Sequence, residues 1–302
     1  MSVKKFKKIG YLPKTFEVEG TSASVAIIIP YRDRKEHLMR FLAHISRLDP
    51  HSTKYDIYVV EQDNSEKFNR GLLLDIGYLA AHKINNYDRY IFHDVDSYPD
   101  QTLFSQYGLF MDKNIHYASP RLGYKYNYER FVGGVIGMMS SDFEKINGFS
   151  TIFFGWGGED DSFYTRMVKK SVPLFRPSVG RYELAEHASP TDAEYNMNRR
   201  KNIEYDSTHW KTNGLKQLAT SQSPNLNYKL LGESEFFGTT DIHSPIPKLI
   251  SPHIRCFFAK AQFSIINFAA SDRKSPRTMK TTPKTRKSRK TKSARKRPSK
   301  SI

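Results

Sequence analysis

Two carboxylates on one short turn are the first residues in this sequence that could carry chemistry. Asp94 and Asp96 flank Val95 directly after an apolar run. Carboxylates on a turn offer hard oxygen ligands to Mn²⁺ or Mg²⁺, and a nucleotide diphosphate can fill the remaining positions of the ion. Such triplets also arise often by chance as solvated turn carboxylates. The turn therefore indicates a metal site only together with a second motif.

That second motif is Gly-Trp-Gly-Gly-Glu-Asp-Asp at 155–161. Its glycines allow the backbone to approach a ligand closely, and the indole of Trp156 offers a flat apolar face to a sugar ring. Glu159, Asp160 and Asp161 are candidates for general-base work. The alternative is a glycine turn leading into a helix with an acidic first turn. The two interpretations are compatible, because a helix N-terminus keeps a base ionised.

Both motifs follow elements that predict an α/β domain. Residues 25–29 form a continuous apolar run, typical of a strand buried on both faces of a parallel sheet. Helical spacing follows at 35–48 and 68–82, and further strands are predicted at 55–63 and 90–93. Helices are also predicted at 141–146 and 160–170. This order predicts βαβ units with a ligand at one edge of the sheet.

Composition separates an enzyme-sized domain from a basic tail. The chain has 302 residues and a net charge of +17, but residues 273–302 contain 14 Lys or Arg and no acid, which leaves +3 for residues 1–272. The tail is too polar to offset its chain entropy by burial, so disorder is predicted for 272–302. Cys256 is the only cysteine, which excludes an intrachain disulfide. No apolar run in residues 1–20 predicts a signal peptide or anchor, so a cytoplasmic location is expected.

Eight segments in the same order resemble the β-1,4-galactosyltransferases over about residues 24–245. They are VAIIIPYRDR (25–34), FNRGLLLDIGY (68–78), HDVDSYP (93–99), VGGV (132–135), INGF (146–149), FGWGGEDD (154–161), GRYELAEH (180–187) and NMNRRKNI (196–203). The resemblance implies an inverting, metal-dependent enzyme of glycosyltransferase family 7 with a GT-A fold. In that fold a Rossmann-like half with a mostly parallel central sheet binds the UDP-sugar, and a second half binds the acceptor.

The resemblance also assigns the donor site. By motif position, the residues expected around the uridine, the diphosphate and the donor sugar are Pro30, Tyr31, Arg32, Arg34, Phe68, Arg70, Asp94 and Val95. Arginine forks suit phosphate oxygens, and an aromatic ring can stack on uracil. The alternative for any one arginine is an ordinary surface ion pair.

For the metal, the resemblance implies Mn²⁺, with Mg²⁺ as the alternative, bound by Asp96 and His187. The family usually adds Met or His three residues before that histidine, where this chain has Leu184. Leucine cannot coordinate a metal, so a water molecule, Glu183 or Glu186 are the alternatives for the missing ligand.

The resemblance assigns the chemistry to Asp160 as the general base, with Glu159 on the donor hydroxyls and Trp156 as a mobile lid. The other residues expected at the substrate are Phe131, Gly134, Gly158, Asp161, Arg199 and Ile203. Phe131 replaces a family tyrosine that discriminates donor sugars. The expected donor is therefore UDP-galactose or UDP-N-acetylgalactosamine, and the acceptor is a glycan or glycoconjugate such as one ending in N-acetylglucosamine.

The domain prediction has four parts. An N-terminal extension (1–20) precedes a GT-A catalytic domain (21–245), a C-terminal segment (246–271) and the basic tail (272–302). Helical spacing of apolar residues at 254–270 predicts an amphipathic helix. This helix would pack on the domain or would bind an anionic membrane surface together with the tail, and the tail alone could bind nucleic acid. A nucleic-acid-binding protein and a catalytically inactive glycan-binding module are the alternative functions.

Overall fold

In the computed structural model the described residues are 9–12, 23–48, 55–109, 112–126, 128–185, 191, 193–219, 226–232 and 254–263. The strands are β1 (Gly10–Tyr11), β2 (Val25–Tyr31), β3 (Tyr55–Gln62), β4 (Arg89–His93), β5 (Ser97–Pro99), β6 (Ile115–His116), β7 (Val135–Met138), β8 (Phe175–Arg176), β9 (Tyr182–Leu184), β10 (Leu226–Gly232) and β11 (Ile254–Phe263). The helices are α1 (Lys35–Leu48), α2 (Arg70–Ile84), α3 (Gln101–Ser105), α4 (Ser140–Lys145), α5 (Glu159–Lys169), α6 (Arg199–His209) and α7 (Leu215–Ala219).

Nine of these strands form one mixed sheet in the order β1-β8-β6-β7-β4-β2-β3-β11-β10. The central strands β4, β2, β3 and β11 are mutually parallel, whereas β7 and β10 pair antiparallel with their neighbours. Strands β5 and β9 form a separate antiparallel pair. The predicted α/β fold with a mostly parallel central sheet is confirmed.

Two apolar cores cover the two faces of this sheet. Alternate residues of β2 point to opposite faces: Val25, Ile27 and Ile29 pack with α1, and Ala26 and Ile28 pack with α2. The run 25–29 is continuously apolar because both faces are covered. The predicted helix at 35–48 is confirmed, and the other helices and strands predicted before residue 170 occur with ends shifted by one or two residues.

The amphipathic helix predicted at 254–270 is wrong over residues 254–263, and residues 264–270 lie outside the described residues. Residues 254–263 form β11, which pairs in parallel with β3 from Ile254 opposite Tyr55 to Ala261 opposite Gln62. The run Cys-Phe-Phe-Ala at 256–259 is buried, and Phe257 stacks on Tyr58 with ring centroids 4.8 Å apart. A short apolar run fits a buried strand as well as a helix. Here the run forms a strand because it pairs with the edge of β3 that β2 does not cover. The sheet thus extends past the predicted domain boundary at 245.

The predicted basic tail, 272–302, lies outside the described residues. Within the described part of the chain, no helix has the length and apolar character needed to span a membrane.

Candidate active site

A cleft of about 1250 Å³ opens at the carboxyl ends of β2 and β4. The turn after β4, the loop before β7 and the loop before α5 form its walls. Its lining includes most of the residues predicted from the sequence: Pro30, Arg32, Arg34, Phe68, Arg70, Asp94, Val95, Asp96, Phe131, Gly134, Trp156, Gly158, Glu159, Asp160, Asp161 and Arg199. Residues from segments more than 150 positions apart in the chain thus meet at one edge of the sheet.

Two of the predicted residues that the structure describes do not line the cleft. Tyr31 packs into the core beside Val25, Ile27 and Ile29, because alternate side chains of a strand point to opposite faces. Ile203 lies on α6 one turn beyond Arg199, is half-buried and does not reach the cleft. His187 lies outside the described residues. The expected contacts of Tyr31 and Ile203 with substrate stay predictions, and neither side chain is among those that line the cleft.

Arg70 links the donor side of the cleft to the acidic motif. It lies in the first turn of α2, whose N-cap is Asn69. Its Nε donates to Asp94 Oδ1 at 2.7 Å, its Nη2 donates to the Gly134 carbonyl at 3.1 Å, and Nη1 lies 3.9 Å from Glu159 Oε1. Burial alone would lower the pKa of Arg70, but Asp94 and Glu159 raise it above its usual value. One fixed cation thus orders three walls of the cleft.

The turn that carries Asp94 and Asp96 is supported by the small β5–β9 pair. The backbone N–H of Ala185 donates to the Asp96 carbonyl at 2.9 Å, and Leu184 lies opposite Ser97 and lines the cleft. Glu183 pairs instead with Arg40, and both side chains are largely exposed. Side chains alternate along β9, so Glu183 is directed away from the cleft, which disfavours it as the replacement ligand.

Asp96 is the predicted metal ligand that lies within the described chain. No cluster of three or more His, Cys, Asp or Glu suited to a metal occurs among the described residues. Asp94 is committed to Arg70, and Leu184 has no lone pair to offer. This donor set fits a hard divalent ion that takes most of its ligands from diphosphate and water oxygens, as Mg²⁺ and Mn²⁺ do in nucleotide sites.

The three acids of the second motif begin α5, as the helix interpretation predicts. Burial and then Asp160 raise the pKa of Glu159 to about 7, although Arg70 opposes them. Burial and then Asp161 raise the pKa of Asp160 to about 6, and Arg70 again opposes them. A carboxylate with a pKa close to neutral is a good general base, because it is ionised at physiological pH and still binds a proton well.

The Trp156 loop is hydrogen-bonded to a segment that precedes α6. The Trp156 N–H donates to the Glu194 carbonyl at 2.7 Å, and the Trp156 carbonyl accepts from Asn196 at 3.1 Å. The indole is 42% exposed and meets the Tyr195 ring edge-on at 5.1 Å. Gly155 has a φ of +88°, and a side chain there would collide with the Glu194 carbonyl. The loop is therefore a defined cover over one end of the cleft.

Sequence reasoning missed an aromatic cage around Phe131. Tyr124, Tyr126 and Tyr128 line the cleft, with ring centroids 5.8, 5.1 and 5.6 Å from that of Phe131. Their spacing of two residues was a usable signal, because alternate residues of an extended chain share one face. The cage surrounds Phe131 with flat surfaces suited to sugar rings.

The sequence also gave no indication of the buried ion pair between Arg166 on α5 and Asp206 on α6. Arg166 Nη2 lies 2.6 Å from Asp206 Oδ1, and both side chains are 1% exposed. Arg166 also donates to the carbonyls of Asn147, Gly148 and Phe149 at 2.9–3.1 Å. This network fixes α5, and with it the acids of the cleft, against α6. No sequence signal predicts such a pairing over 40 positions.

Comparison with known proteins places this cleft among glycosyltransferases. Two family models match, the N-terminal region of glycosyl transferase group 7 over residues 10–106 and the N-terminal domain of galactosyltransferase over residues 113–188. Beta-1,4-galactosyltransferase 4 of Mus musculus is 39% identical over 195 residues, which cover 63% of this chain and 56% of that protein. Beta-1,4-galactosyltransferase 1 of Mus musculus is 33% identical over 224 residues, or 73% of this chain and 55% of that protein.

A relative with another described activity also matches. The beta-N-acetyl-D-glucosaminide beta-1,4-N-acetylglucosaminyl-transferase of Lymnaea stagnalis is 39% identical over 182 residues, or 57% of this chain and 36% of that protein. The match spans about half the length of the Mus musculus beta-1,4-galactosyltransferase 4.

Among solved structures, the catalytic domain of Drosophila β1,4-galactosyltransferase 7 with xylobiose superposes with a TM-score of 0.62 at 25% identity. The match covers 80% of this chain and 94% of that one. A mutant of the same enzyme, solved with manganese, UDP-Gal and xylobiose, gives the same values.

Proposed function

The chain belongs to glycosyltransferase family 7, and from that membership we propose that it transfers galactose, or N-acetylgalactosamine, from a UDP-sugar to a sugar acceptor with inversion. The observation that carries this proposal is that Asp160, Asp96 and the Arg70–Asp94 pair all line one cleft. A base, a metal ligand and a cation for the donor side are the groups that such a transfer requires.

The donor nucleotide would lie on the side of the cleft next to β2. Arg32 covers the ring of Phe68 at 5.4 Å and donates from Nη1 to the Glu66 carbonyl at 2.6 Å. Its guanidinium is therefore held in place before a diphosphate binds. Arg34 lines the same wall. These contacts support the proposed uridine diphosphate site.

Asp96 and His187, the residues at the family's metal positions, would hold Mn²⁺, the ion with which a homologous galactosyltransferase was solved. When bound, the ion neutralises charge on the departing diphosphate. Leu184 removes one family ligand from this set, so the proposed site depends on the nucleotide for more of its oxygen ligands than the family pattern does.

Asp160 would accept the proton of the acceptor hydroxyl as that oxygen attacks the anomeric carbon from the face opposite UDP. Glu159, next to Arg70, would hydrogen-bond the donor sugar, and Asp161 would position the acceptor. Trp156 would cover the bound sugars and exclude water from the reaction.

Phe131 bears on which donor sugars the cleft accepts. Its ring has no hydroxyl to bond the C2 substituent, so we propose that the chain discriminates galactose from its N-acetylated form weakly. The match to a Lymnaea stagnalis N-acetylglucosaminyl-transferase supports a family in which the donor sugar varies.

The test is a survey of donors and acceptors. Purified protein with Mn²⁺ is incubated with UDP-galactose, UDP-N-acetylgalactosamine or UDP-glucose, with and without N-acetylglucosamine, glucose or xylose, and UDP release is measured. We expect acceptor-dependent release from the first two donors. Glycan binding without release from any donor would support the inactive-module alternative instead.

We further propose that the basic segment 273–302 contacts an anionic membrane surface through its 14 cationic side chains. The absence of aromatic residues among those charges disfavours base stacking with nucleic acid. Residues 254–263 form strand β11 and not the predicted helix. The positive charges of the tail alone would therefore bind the membrane. The cytoplasmic location stays a prediction.

A further inference from the structure

A buried arginine and a buried histidine lie behind the loop that carries Phe131, outside the cleft itself. Arg176 on β8 is 2% exposed, and His116 on β6 is fully buried. Arg176 Nη2 donates to the carbonyls of Glu129 and Phe131 at 2.9 and 2.7 Å. Together with His116, it holds a loop of irregular backbone from the side opposite the substrate.

The two side chains also bond each other. Arg176 Nε lies 3.3 Å from His116 Nδ1, and His116 Nε2 lies 2.9 Å from the Gly133 carbonyl. A guanidinium only donates, so Nδ1 must accept and the ring proton must reside on Nε2, which then donates to Gly133. Burial, and then Arg176, lower the pKa of His116 to about 3, so the ring is neutral. Arg176 thus fixes the tautomer with which His116 holds Gly133.

The carbonyls held in this way belong to the backbone that faces Asp160. A methyl group added to Gly133 would lie 2.8 Å from the Phe131 ring and 3.1 Å from Asp160 Oδ2. The His116 ring also meets the Phe131 ring edge-on at 5.3 Å. A shift of this loop would therefore move Phe131 relative to the base.

We propose that Arg176 and His116 are positioning residues that set the sugar-binding wall formed by Phe131 and Gly133, and that they control how the cleft binds the sugar of the donor. The inference rests on the proposed function, because it takes the ligand to be a UDP-sugar. Arg32, which we place at the uridine diphosphate, is held by the Glu66 carbonyl and not by this loop, so we expect the pair to act mainly on the sugar half of the donor.

The test compares UDP with UDP-galactose by calorimetry in the presence of Mn²⁺. The variants are Arg176→Lys, whose single nitrogen cannot occupy both the Nη2 position at the carbonyls and the Nε position at His116, and His116→Phe, which keeps a ring but loses both bonds. His116→Gln is the matched control, because its amide oxygen can accept from Arg176 and its amide nitrogen can donate to Gly133.

We expect Arg176→Lys and His116→Phe to leave the Kd for UDP within about twofold and to weaken UDP-galactose roughly tenfold, the factor that one lost charge-assisted hydrogen bond represents. His116→Gln should stay near wild type for both ligands. If Arg176→Lys does not fold, His116→Phe against His116→Gln makes the same comparison.

Equal weakening of both ligands in His116→Phe, or no weakening of either, would overturn the inference while leaving the proposed function intact. A wild-type protein that binds neither UDP nor UDP-galactose would instead refute the proposed function and the inference together. The two failures are therefore distinguishable in one experiment.

Discussion

Asp160 lies between two acids with different neighbours. Glu159 is next to Arg70, whereas the charge of Asp161 is offset by Arg199 and Arg130. Burial and then Asp161 raise the pKa of Asp160 to about 6. Because a general base works only when ionised, kcat/KM should fall as the pH drops below about 6.

Asp161→Asn removes one cause of that raised pKa, so the acidic limb of the pH profile should move to lower pH even though the height of the profile falls. The measurement is kcat/KM across pH about 5 to 8 for both proteins. Asp161→Glu, which keeps the charge, is the control and should leave the limb in place. An unmoved limb in Asp161→Asn would assign the titration to another group.

Leu184 lines the cleft next to the Asp96 turn, and the family resemblance places a metal ligand at this position. Leu184→His should therefore bind Mn²⁺ more tightly, because an imidazole replaces an apolar group beside an existing carboxylate. Calorimetric titration of Mn²⁺ in the presence of UDP measures the effect. Leu184→Phe adds a ring without a ligand atom and should not tighten binding; equal affinities in the two variants would show that residue 184 does not face the ion.

At the scale of residues, the sequence predicts which side chains lie in the cleft better than it predicts how they pair. Asp94 and Arg70 were both predicted from motif position, but their 2.7 Å bond depends on how β4 and α2 pack. Tyr31 was predicted in the cleft with Pro30, although successive residues on a strand point to opposite faces. Arg176 and His116 carry no motif, because they act on backbone carbonyls of a distant loop.

At the scale of elements, residues 254–263 show why local pattern does not decide between helix and strand. Apolar side chains at 254, 257, 258 and 261 fit one face of a helix, yet the same run fits a strand buried on both faces. The partner of this run is the edge of β3 opposite β2, almost 200 positions earlier in the chain, and only the assembled sheet shows this pairing. By contrast, α1 has one buried stripe and polar residues elsewhere, so its period identified it from sequence alone.

Removal of β11 should destabilise the domain. Burial of Phe257 and Phe258 contributes about 1.5–3 kcal/mol each, a large share of the 5–15 kcal/mol that a typical protein has in total. A chain ending at residue 253 should therefore aggregate or melt at a much lower temperature, whereas a chain ending at Asp272 should keep the Tm of the full protein. Circular dichroism melts of the two truncations measure this, and equal Tm values would mean that β11 is dispensable.

At the scale of the whole molecule, charge is unevenly distributed along the chain. Residues 273–302 carry 14 of the positive charges, and the remaining residues carry a net +3. Each basic residue close to an anionic membrane is worth up to about 1 kcal/mol, and salt screens this attraction. The proposed membrane contact should thus depend on the tail and on ionic strength, and not on the catalytic cleft.

Co-sedimentation with phosphatidylserine vesicles tests this contact. The full chain should sediment with vesicles at low salt and stay in the supernatant at high salt, while the chain ending at Asp272 should stay in the supernatant at both. A full chain that never sediments with vesicles would refute the membrane proposal. Salt-sensitive retention on DNA by that same chain would then assign the tail to nucleic acid.

The rate of galactose transfer by the Asp160→Asn variant tests whether Asp160 is the general base. The amide keeps the shape of the side chain but cannot accept the acceptor's proton, so transfer of galactose from UDP-galactose in Mn²⁺ should fall by roughly 10² to 10⁴-fold. The Kd for UDP should stay close to that of the wild-type protein, because Arg32, Arg70 and Asp96 are unchanged. Near-normal transfer by Asp160→Asn, with the wild-type protein active in the same assay, would show that Asp160 is not the general base.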